Sequence, residues 1–367
     1  MSTLPPAPPT PPRPPSRWPA FVAIAAIVAV LATAFAWATG WIGTRLTAPR
    51  LVDDIEAGGL NPGFRRAHSK GVCVAGYFEP TAQAQALSRA SVFSQPRTRV
   101  QGRMSIGGGD PHGAEAQARV RSMALVLTAD DGQEWRMAMN SFPFFAVSSL
   151  EGFHHQMLAS RPDPATGKPD PEKMAAFMAE HPEAARFQAW AKSAPWSSSW
   201  ANTTYNGINA FRFEDADGGS RYVRWSMEPQ APFEPLDEAE RQQAEPDYLA
   251  TDLEARLQDG PLRWNMVVTE AAAGDPVDDP SQPWPEDRPR HVVGVVVLES
   301  SQSQDTGPCR DVNYDPTIVP EGIALSDDPI LAARAAAYAV SFNRRERETA
   351  QGLTPPKPTD TAPEARP

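Results

Sequence analysis

Residues 64–80 read Phe-Arg-Arg-Ala-His-Ser-Lys-Gly-Val-Cys-Val-Ala-Gly-Tyr-Phe-Glu-Pro. A basic stretch carrying His68 runs straight into 71–79 (GVCVAGYFE), which is short and rich in β-branched and aromatic residues and so predicts a strand. The same signature recurs at 97–107, 119–128 (RVRSMALVLT) and 134–140. It returns at 207–213 (GINAFRF), 220–227 (SRYVRWSM), 261–269 (PLRWNMVVT) and 291–299 (HVVGVVVLE). Ala129-Asp130-Asp131-Gly132 and Asp215-Ala216-Asp217-Gly218-Gly219 have the residue types of hairpin turns. Two runs of hairpin-joined strands predict an antiparallel sheet or closed barrel. Helical patterns interrupt them at 148–160 and at 171–193, the latter opened by Asp170 with Pro171 at the first helical position. A last helix is predicted over about 328–349, opened by Asp327 or Asp328 with Pro329 in its first turn. The fold class is therefore α+β.

Outward from this body the chain changes character. Residues 1–17 are mostly proline and predict an extended, disordered tail. Residues 18–43 form an uncharged apolar run, long enough to cross a bilayer, with Trp18 at one end and Trp37 and Trp41 near the other, as interfacial belts require. Two readings stand: a transmembrane anchor, or an export signal cleaved near Ala32-Thr33-Ala34. The apolar run continues past that site, which favours the anchor. Arg13 and Arg17 precede the run and Arg45 and Arg50 follow it, so charge leaves orientation undecided. A short tail before the span and a large domain after it place that domain outside the cytoplasm: anchored to the inner membrane and facing the periplasm, or exported there if the segment is cut. Residues 50–350 form the folded domain, and 351–367 predict a second disordered, proline-rich tail.

The 367 residues carry a formal net charge of -11, which argues against nucleic acid as a partner. The two cysteines, Cys73 and Cys309, show no metal-ligand spacing. A single disulfide would need an oxidising compartment, and the position of Cys73 in an apolar run favours a free, buried thiol.

Chemistry-bearing residues recur in order along the body. Arg65 and His68 precede the first strand; Arg103-Met104-Ser105, Asn140-Ser141-Phe142 and Phe153 follow; Arg334 and Tyr338 stand four apart near the end. Singly each has a bland reading: a structural histidine, a strand-end amide, a core phenylalanine, a surface pair on a helix. Together, FRRAHSKGVCVAGYFEP, GRMSIGG, NSFPFF, TYNGINAFRF, RYVRWSMEP, GPLRW, VDDPSQPWPEDR and DPILAARAAAYAVSFNRRERE resemble, in content and order, the catalase superfamily and above all its short catalase-related peroxidases. The resemblance covers about residues 55–350.

It implies an eight-stranded antiparallel β-barrel with flanking helices, haem (iron protoporphyrin) as cofactor, and peroxide as substrate with a small organic electron donor. Tyr338 would be the axial iron ligand, helped by Arg334 one helical turn earlier. His68 would shift a proton from one peroxide oxygen to the other. Ser105 would accept a hydrogen bond from its other ring nitrogen, Asn140 would bind the peroxide, and Phe153 would stack on the porphyrin. Arg65 and Arg103 would hold the propionates, with Arg334 also in reach of one, since the guanidinium fork matches carboxylates. His112, His154, His155, His181 and His291 match no motif and read as structural or exposed. Full-length catalases continue well past this tyrosine helix. A shorter, wider channel and peroxidase activity on organic hydroperoxides, with weak catalase activity, are the expectation, in the setting of oxidative stress. A homodimer is a family-level expectation. The alternatives are a lipid hydroperoxide-rearranging isomerase on the same fold, a non-enzymatic haem-binding barrel, and a haem-free apolar-ligand barrel.

Overall fold

Eight predicted strands are present in a computed structural model of the chain, which describes residues 17–40, 42–43, 45–163 and 165–353. They are β1 (Gly71–Pro80), β2 (Thr98–Ile106), β3 (Arg121–Thr128), β4 (Glu134–Asn140), β5 (Tyr205–Glu214), β6 (Ser220–Pro229), β7 (Leu262–Glu270) and β8 (Arg290–Ser303). All pairs are antiparallel. Two four-stranded meanders, β1–β4 and β5–β8, join edge to edge through β1 and β8, and Asn140 pairs with Asn206 to close the barrel between β4 and β5. A short β9 (Ile323–Leu325) pairs with β5. Closure leaves the barrel no free edges.

The hairpin turns lie where their residue types placed them. Gly132 adopts φ 83°, a conformation that costs glycine little, and its N–H donates to the Ala129 carbonyl at 2.9 Å. At the other turn the Asp215 carboxylate accepts from the N–H groups of Asp217 and Gly219, at 3.1 and 2.7 Å.

Strand alternation decides what faces what. On β4, Trp135, Met137 and Met139 are fully buried in the barrel interior with Met104, Met123, Leu125 and Leu127 of β2 and β3. Trp135 meets Phe93, Phe213 and Trp225 edge-on, with ring centroids 5.0–6.0 Å apart. The intervening residues Arg103, Ser105, Ser122, Ala124, Ala138 and Asn140 consequently point outward, where the helices pack.

The helices are α1 (Trp18–Ala38), α2 (Ala48–Glu56), α3 (Ala82–Leu87), α4 (Leu150–Ala159), α5 (Pro171–Glu180), α6 (Ala184–Ser193), α7 (Glu238–Gln243), α8 (Tyr248–Asp259) and α9 (Pro329–Ala350). Helix α9 begins at Asp328, whose carboxylate accepts from the N–H groups of Ile330 and Leu331 at 2.8 and 3.3 Å, with Pro329 next in line. Helix α1 falls in a unit of its own, residues 1–47. Its 21 residues are long and apolar enough to cross a membrane, and none is buried.

Two expectations are corrected. The single helix expected over 171–193 is two helices, because Pro182 offers no N–H and forces His181 out of the helical region, to φ -123° and ψ 70°. Cys73 is not a free thiol: it is bonded to Cys309 with Cα atoms 5.3 Å apart. Burial and pairing are compatible, since the bond sits beneath Val126 and Tyr314 in a small apolar cluster. Trp41 and the ends, 1–16 and 354–367, which carry the two expected tails, lie outside the described residues.

Candidate active site

The loop before β1 is tied down at many points. Arg66 pairs with Glu56 at 2.6 Å and with Glu348 of α9. The Lys70 ammonium donates to the carbonyls of Gly113 and Pro246, both at 2.9 Å, and pairs with Asp247 at 2.7 Å. Arg103 and Gln304 both donate to the Ser69 carbonyl, at 2.9 and 3.1 Å. This anchoring holds His68 at φ 55°, the one non-glycine residue with positive φ among the described residues. Such a backbone costs on the order of 1–3 kcal/mol and persists where its surroundings overdetermine it.

His68 is half-buried among cations. Desolvation, then Arg103 and Arg334, push its pKa down to about 4, opposed by the Ile106 backbone carbonyl. The ring is therefore neutral at pH 7 and available as a base. Its Nδ1 lies 3.0 Å from Ser122 Oγ, and that hydroxyl donates to Asn140 Oδ1 at 2.6 Å. With the Ser122 proton committed to Asn140, the serine oxygen accepts from Nδ1–H, which leaves the Nε2 lone pair free.

The serine expected in this role, Ser105, is not the one beside Nδ1. Ser105, Ser122 and Asn140 stand in one row across β2, β3 and β4, each the direct partner of the next. The central member of the row reaches the imidazole. Ser105 is buried beside it and lines the same cavity. Alternation along RSMALVLT put Ser122 on this outer face, and that was the available signal.

On α9, Arg334 and Tyr338 lie one turn apart. The Arg334 guanidinium donates to Tyr338 Oη at 3.4 Å, to the Ala138 carbonyl of β4 at 3.0 Å and to Asn209 Oδ1 at 2.6 Å. The Asn209 amide donates in turn to the buried Asp328 carboxylate at 2.7 Å. Arg334 is thereby fixed toward the phenol by a chain of groups that no motif singles out. Tyr338 packs against the cluster around Cys73–Cys309.

One cavity of about 700 Å³ unites these residues. All eight predicted site residues line it: Arg65, His68, Arg103, Ser105, Asn140, Phe153, Arg334 and Tyr338. Its walls are the outer faces of β2–β4, helix α9 and helix α4, with Phe142, Phe145 and Phe187 supplying much of the apolar surface. Phe153 packs on Phe145 with ring centroids 5.5 Å apart. Arg334 is occupied by Asn209, Ala138 and Tyr338, which makes it a partner of the phenol more than of an anion.

At one end gather Arg65, Arg103, Arg345 and Tyr314. Arg65 is held by the carbonyls of Cys309 and Val312, at 3.0 and 2.7 Å. Burial lowers the pKa of Arg65, and burial with repulsion from Arg65 lowers that of Arg103 and brings that of Arg345 to about 9. Arg103 Nε, Arg345 Nε and Nη2, and Tyr314 Oη are buried without a hydrogen-bond partner. Buried donors without acceptors are costly, and cations more so. A porphyrin with two propionates fits them: it would bring carboxylates to these donors, beside apolar surface from Phe side chains and Tyr338. Tyr314 lies outside every motif, and nothing within DPILAARAAAYAVSFNRRERE singles out Arg345. In sequence Arg345 is one of several arginines near the end of α9.

Comparison with known proteins agrees with this picture. The family model described as "Catalase" matches residues 63–360. A protein of Synechococcus elongatus named catalase-related peroxidase is 37% identical over 309 residues, covering 84% of this chain and 91% of its own. One of the same name from Mycolicibacterium paratuberculosis is 33% identical, covering 85% of this chain and 98% of its own. Among solved structures, a fungal catalase superposes with a TM-score of 0.70 at 20% identity, covering 85% of this chain, which spans 65% of that one. Catalase A from Saccharomyces cerevisiae gives the same TM-score at 22% identity, covering 83% of this chain and 66% of its own. A closed antiparallel barrel, one cavity uniting the motif residues, and these likenesses lead to the same place: the chain belongs to the catalase family.

Proposed function

We propose that this chain is a haem peroxidase that reduces hydrogen peroxide and organic hydroperoxides with an external electron donor. The observation that carries the reading is the cavity itself. It joins a neutral, half-buried imidazole, a phenol paired with a guanidinium, and orphaned buried guanidinium donors at one end. Haem, when bound, supplies the redox chemistry. Tyr338 would bind its iron through the phenol oxygen, with Arg334 stabilising the phenolate through the N–H aimed at it. Arg65, Arg103 and Arg345, with Tyr314, would hold the propionates.

His68 then does the proton work. Its Nε2 accepts a proton from the near peroxide oxygen and returns it to the far one, which leaves as water or an alcohol. Ser122 keeps that nitrogen unprotonated beforehand. Asn140, with its Oδ1 facing Ser122, turns its amide N–H₂ away from that serine, available to a peroxide oxygen. The aromatic lining suits an organic peroxide. The relatives named above are peroxidases or catalases, so a rearranging isomerase, a haem-binding barrel without turnover and a haem-free barrel find no counterpart among them.

The Cys73–Cys309 bond supports a location outside the cytoplasm, because disulfides persist in oxidising compartments. With helix α1 as anchor, the domain would face the periplasm. Protease accessibility of the domain in intact spheroplasts tests this, and full protection would rule it out.

The catalytic reading is tested on purified protein by an absorption spectrum, pyridine haemochrome quantitation, and a comparison of oxygen release with peroxide-dependent dye oxidation. Dye oxidation exceeding oxygen release is expected. Rapid oxygen release without dye oxidation would refute the peroxidase assignment, and a Tyr338→Phe protein with an unaltered haem spectrum would refute the ligand assignment.

A further inference from the structure

The break at Pro182 does more than end a helix. It swings His181 out of the helical path at the end of α5 and toward α4, where His155 stands. His155 lies on the side of α4 away from the cavity, to which Phe153, Gln156 and Met157 contribute. His155 Nδ1 is 3.1 Å from His181 Nε2 and 3.4 Å from Glu180 Oε1, and the three donor atoms lie within 4.8 Å of one another. Two donors bound to one tetrahedral ion at its usual 2.0–2.2 Å stand about 3.4 Å apart. The spacing of these three thus matches that of ligands around a common centre.

A second feature points the same way. The far nitrogen of His181, Nδ1, faces Glu183 Oε1 at 3.5 Å. The negative charge there favours the proton on Nδ1 and so Nε2 as the lone-pair nitrogen, the kind of carboxylate neighbour that metal-binding histidines have. The ring is wedged in place. It stacks on Phe177 at 5.2 Å, and Gly152 of α4 approaches so closely that a methyl group there would sit 3.1 Å from Nδ1. Neighbouring His154 is engaged elsewhere, 2.8 Å from Asp54 of α2. His155 and Glu180 remain substantially exposed, so an ion can enter from solvent and keep a water ligand.

We propose that His155, Glu180 and His181 form a binding site for a divalent transition ion, with Zn²⁺ the best match to two imidazoles and a carboxylate. The ion replaces the hydrogen bond between the two rings; the proton on His155 Nδ1 moves to Nε2. It clamps α4 to the end of α5 and so braces the helix that carries Phe153. The proposal is independent of haem binding and turnover.

The test uses the full chain after chelator treatment, titrated with zinc chloride by calorimetry, with bound zinc counted by elemental analysis. One zinc per chain at micromolar affinity is expected, with a rise in melting temperature. His155→Gln and Glu180→Gln, both changes at exposed positions, should each weaken binding by about tenfold or more and abolish the rise, and Glu183→Gln should weaken it by about tenfold. Zinc binding unchanged in His155→Gln and Glu180→Gln, or no binding at micromolar zinc by a protein with normal circular dichroism, would overturn the proposal and leave an imidazole–imidazole hydrogen bond in its place.

Discussion

Ser122 Oγ lies 3.0 Å from His68 Nδ1 and donates its own hydrogen bond to Asn140 Oδ1, so one hydroxyl sets the tautomer of the candidate base and the rotamer of the candidate peroxide amide. Removing it leaves the Nδ1–H without its acceptor and frees the imidazole to carry its proton on either nitrogen. Ser122→Ala is expected to lower kcat/KM for peroxide by about tenfold, the value of one hydrogen bond of roughly 1–1.5 kcal/mol. Ser105→Ala should cost less. Steady-state kinetics on both variants decide it, and a larger loss from Ser105→Ala would return the role to that residue.

The depressed pKa of His68 predicts a pH signature with a definite sign. Its folded value of about 4 lies below its ordinary value near 6.5, so between those limits the unfolded chain binds the proton and the folded chain does not. Stability is fully present above about pH 6.5 and falls as pH drops toward 4, by about 3 kcal/mol from this group. His68→Gln should flatten that part of the stability curve in denaturant titrations of haem-free protein. In the wild type, peroxide turnover should hold on the acid side until about pH 4; an acid limb centred near 6.5 would show a solvated imidazole instead.

Arg345 should act with opposite signs on the haem-free and haem-loaded protein. Its Nε and Nη2 are buried without acceptors while its charge lies against Phe342, at 5.3 Å from the ring centroid. Arg345→Met removes an unpaired buried charge, so the haem-free protein should melt no lower than wild type. Haem affinity should drop by about tenfold or more, as expected when a charge-assisted hydrogen bond of roughly 1.5–3 kcal/mol is lost. Haem titration followed in the visible region, beside melting curves, reads both. Unchanged haem affinity would remove Arg345 from the binding set.

The disulfide links residues 236 apart in sequence and carries the 309–314 segment to the outer face of β1. That segment gives Arg65 its two carbonyl partners and places Tyr314. Replacing both cysteines by serine should cost on the order of 4 kcal/mol of stability, since the bond closes a long loop, and should weaken haem retention as well. Denaturation midpoints with and without reductant measure the first effect and haem content after gel filtration the second. A midpoint insensitive to reductant would mean the thiols are unpaired in solution.

Much of the architecture was legible because it is local. The strands GVCVAGYFE, RVRSMALVLT and GINAFRF declare themselves by residue type, and Asp328-Pro329 announces α9. Pro182 was equally visible, yet 171–193 reads as one amphipathic helix until the cost of proline at that position is weighed. The site was legible only where a residue sits in a recognisable motif. Ser122 and Tyr314 sit in none, and nothing marks Asn209 within TYNGINAFRF or Arg345 within DPILAARAAAYAVSFNRRERE; what makes these four relevant is a partner 54 or 119 residues away, or the lack of one.

The sequence by itself determined the eight strands, the tyrosine helix, the apolar N-terminal segment and the family. The first three follow from short-range preferences for backbone conformation and from which faces must leave water; the family follows from the resemblance of the motifs in content and order. Only the tertiary structure decided that Ser122 and not Ser105 touches the imidazole, that Cys73 meets Cys309, and that the guanidiniums of Arg65, Arg103 and Arg345 converge with donors of the last two left unpaired. These depend on strand register and on how α9 and the 304–314 segment lie across the barrel. Two serines on adjacent strands have the same chemistry and the same alternation; an ångström-scale difference in distance to a ring separates their roles, and that distance exists only once the chain has closed.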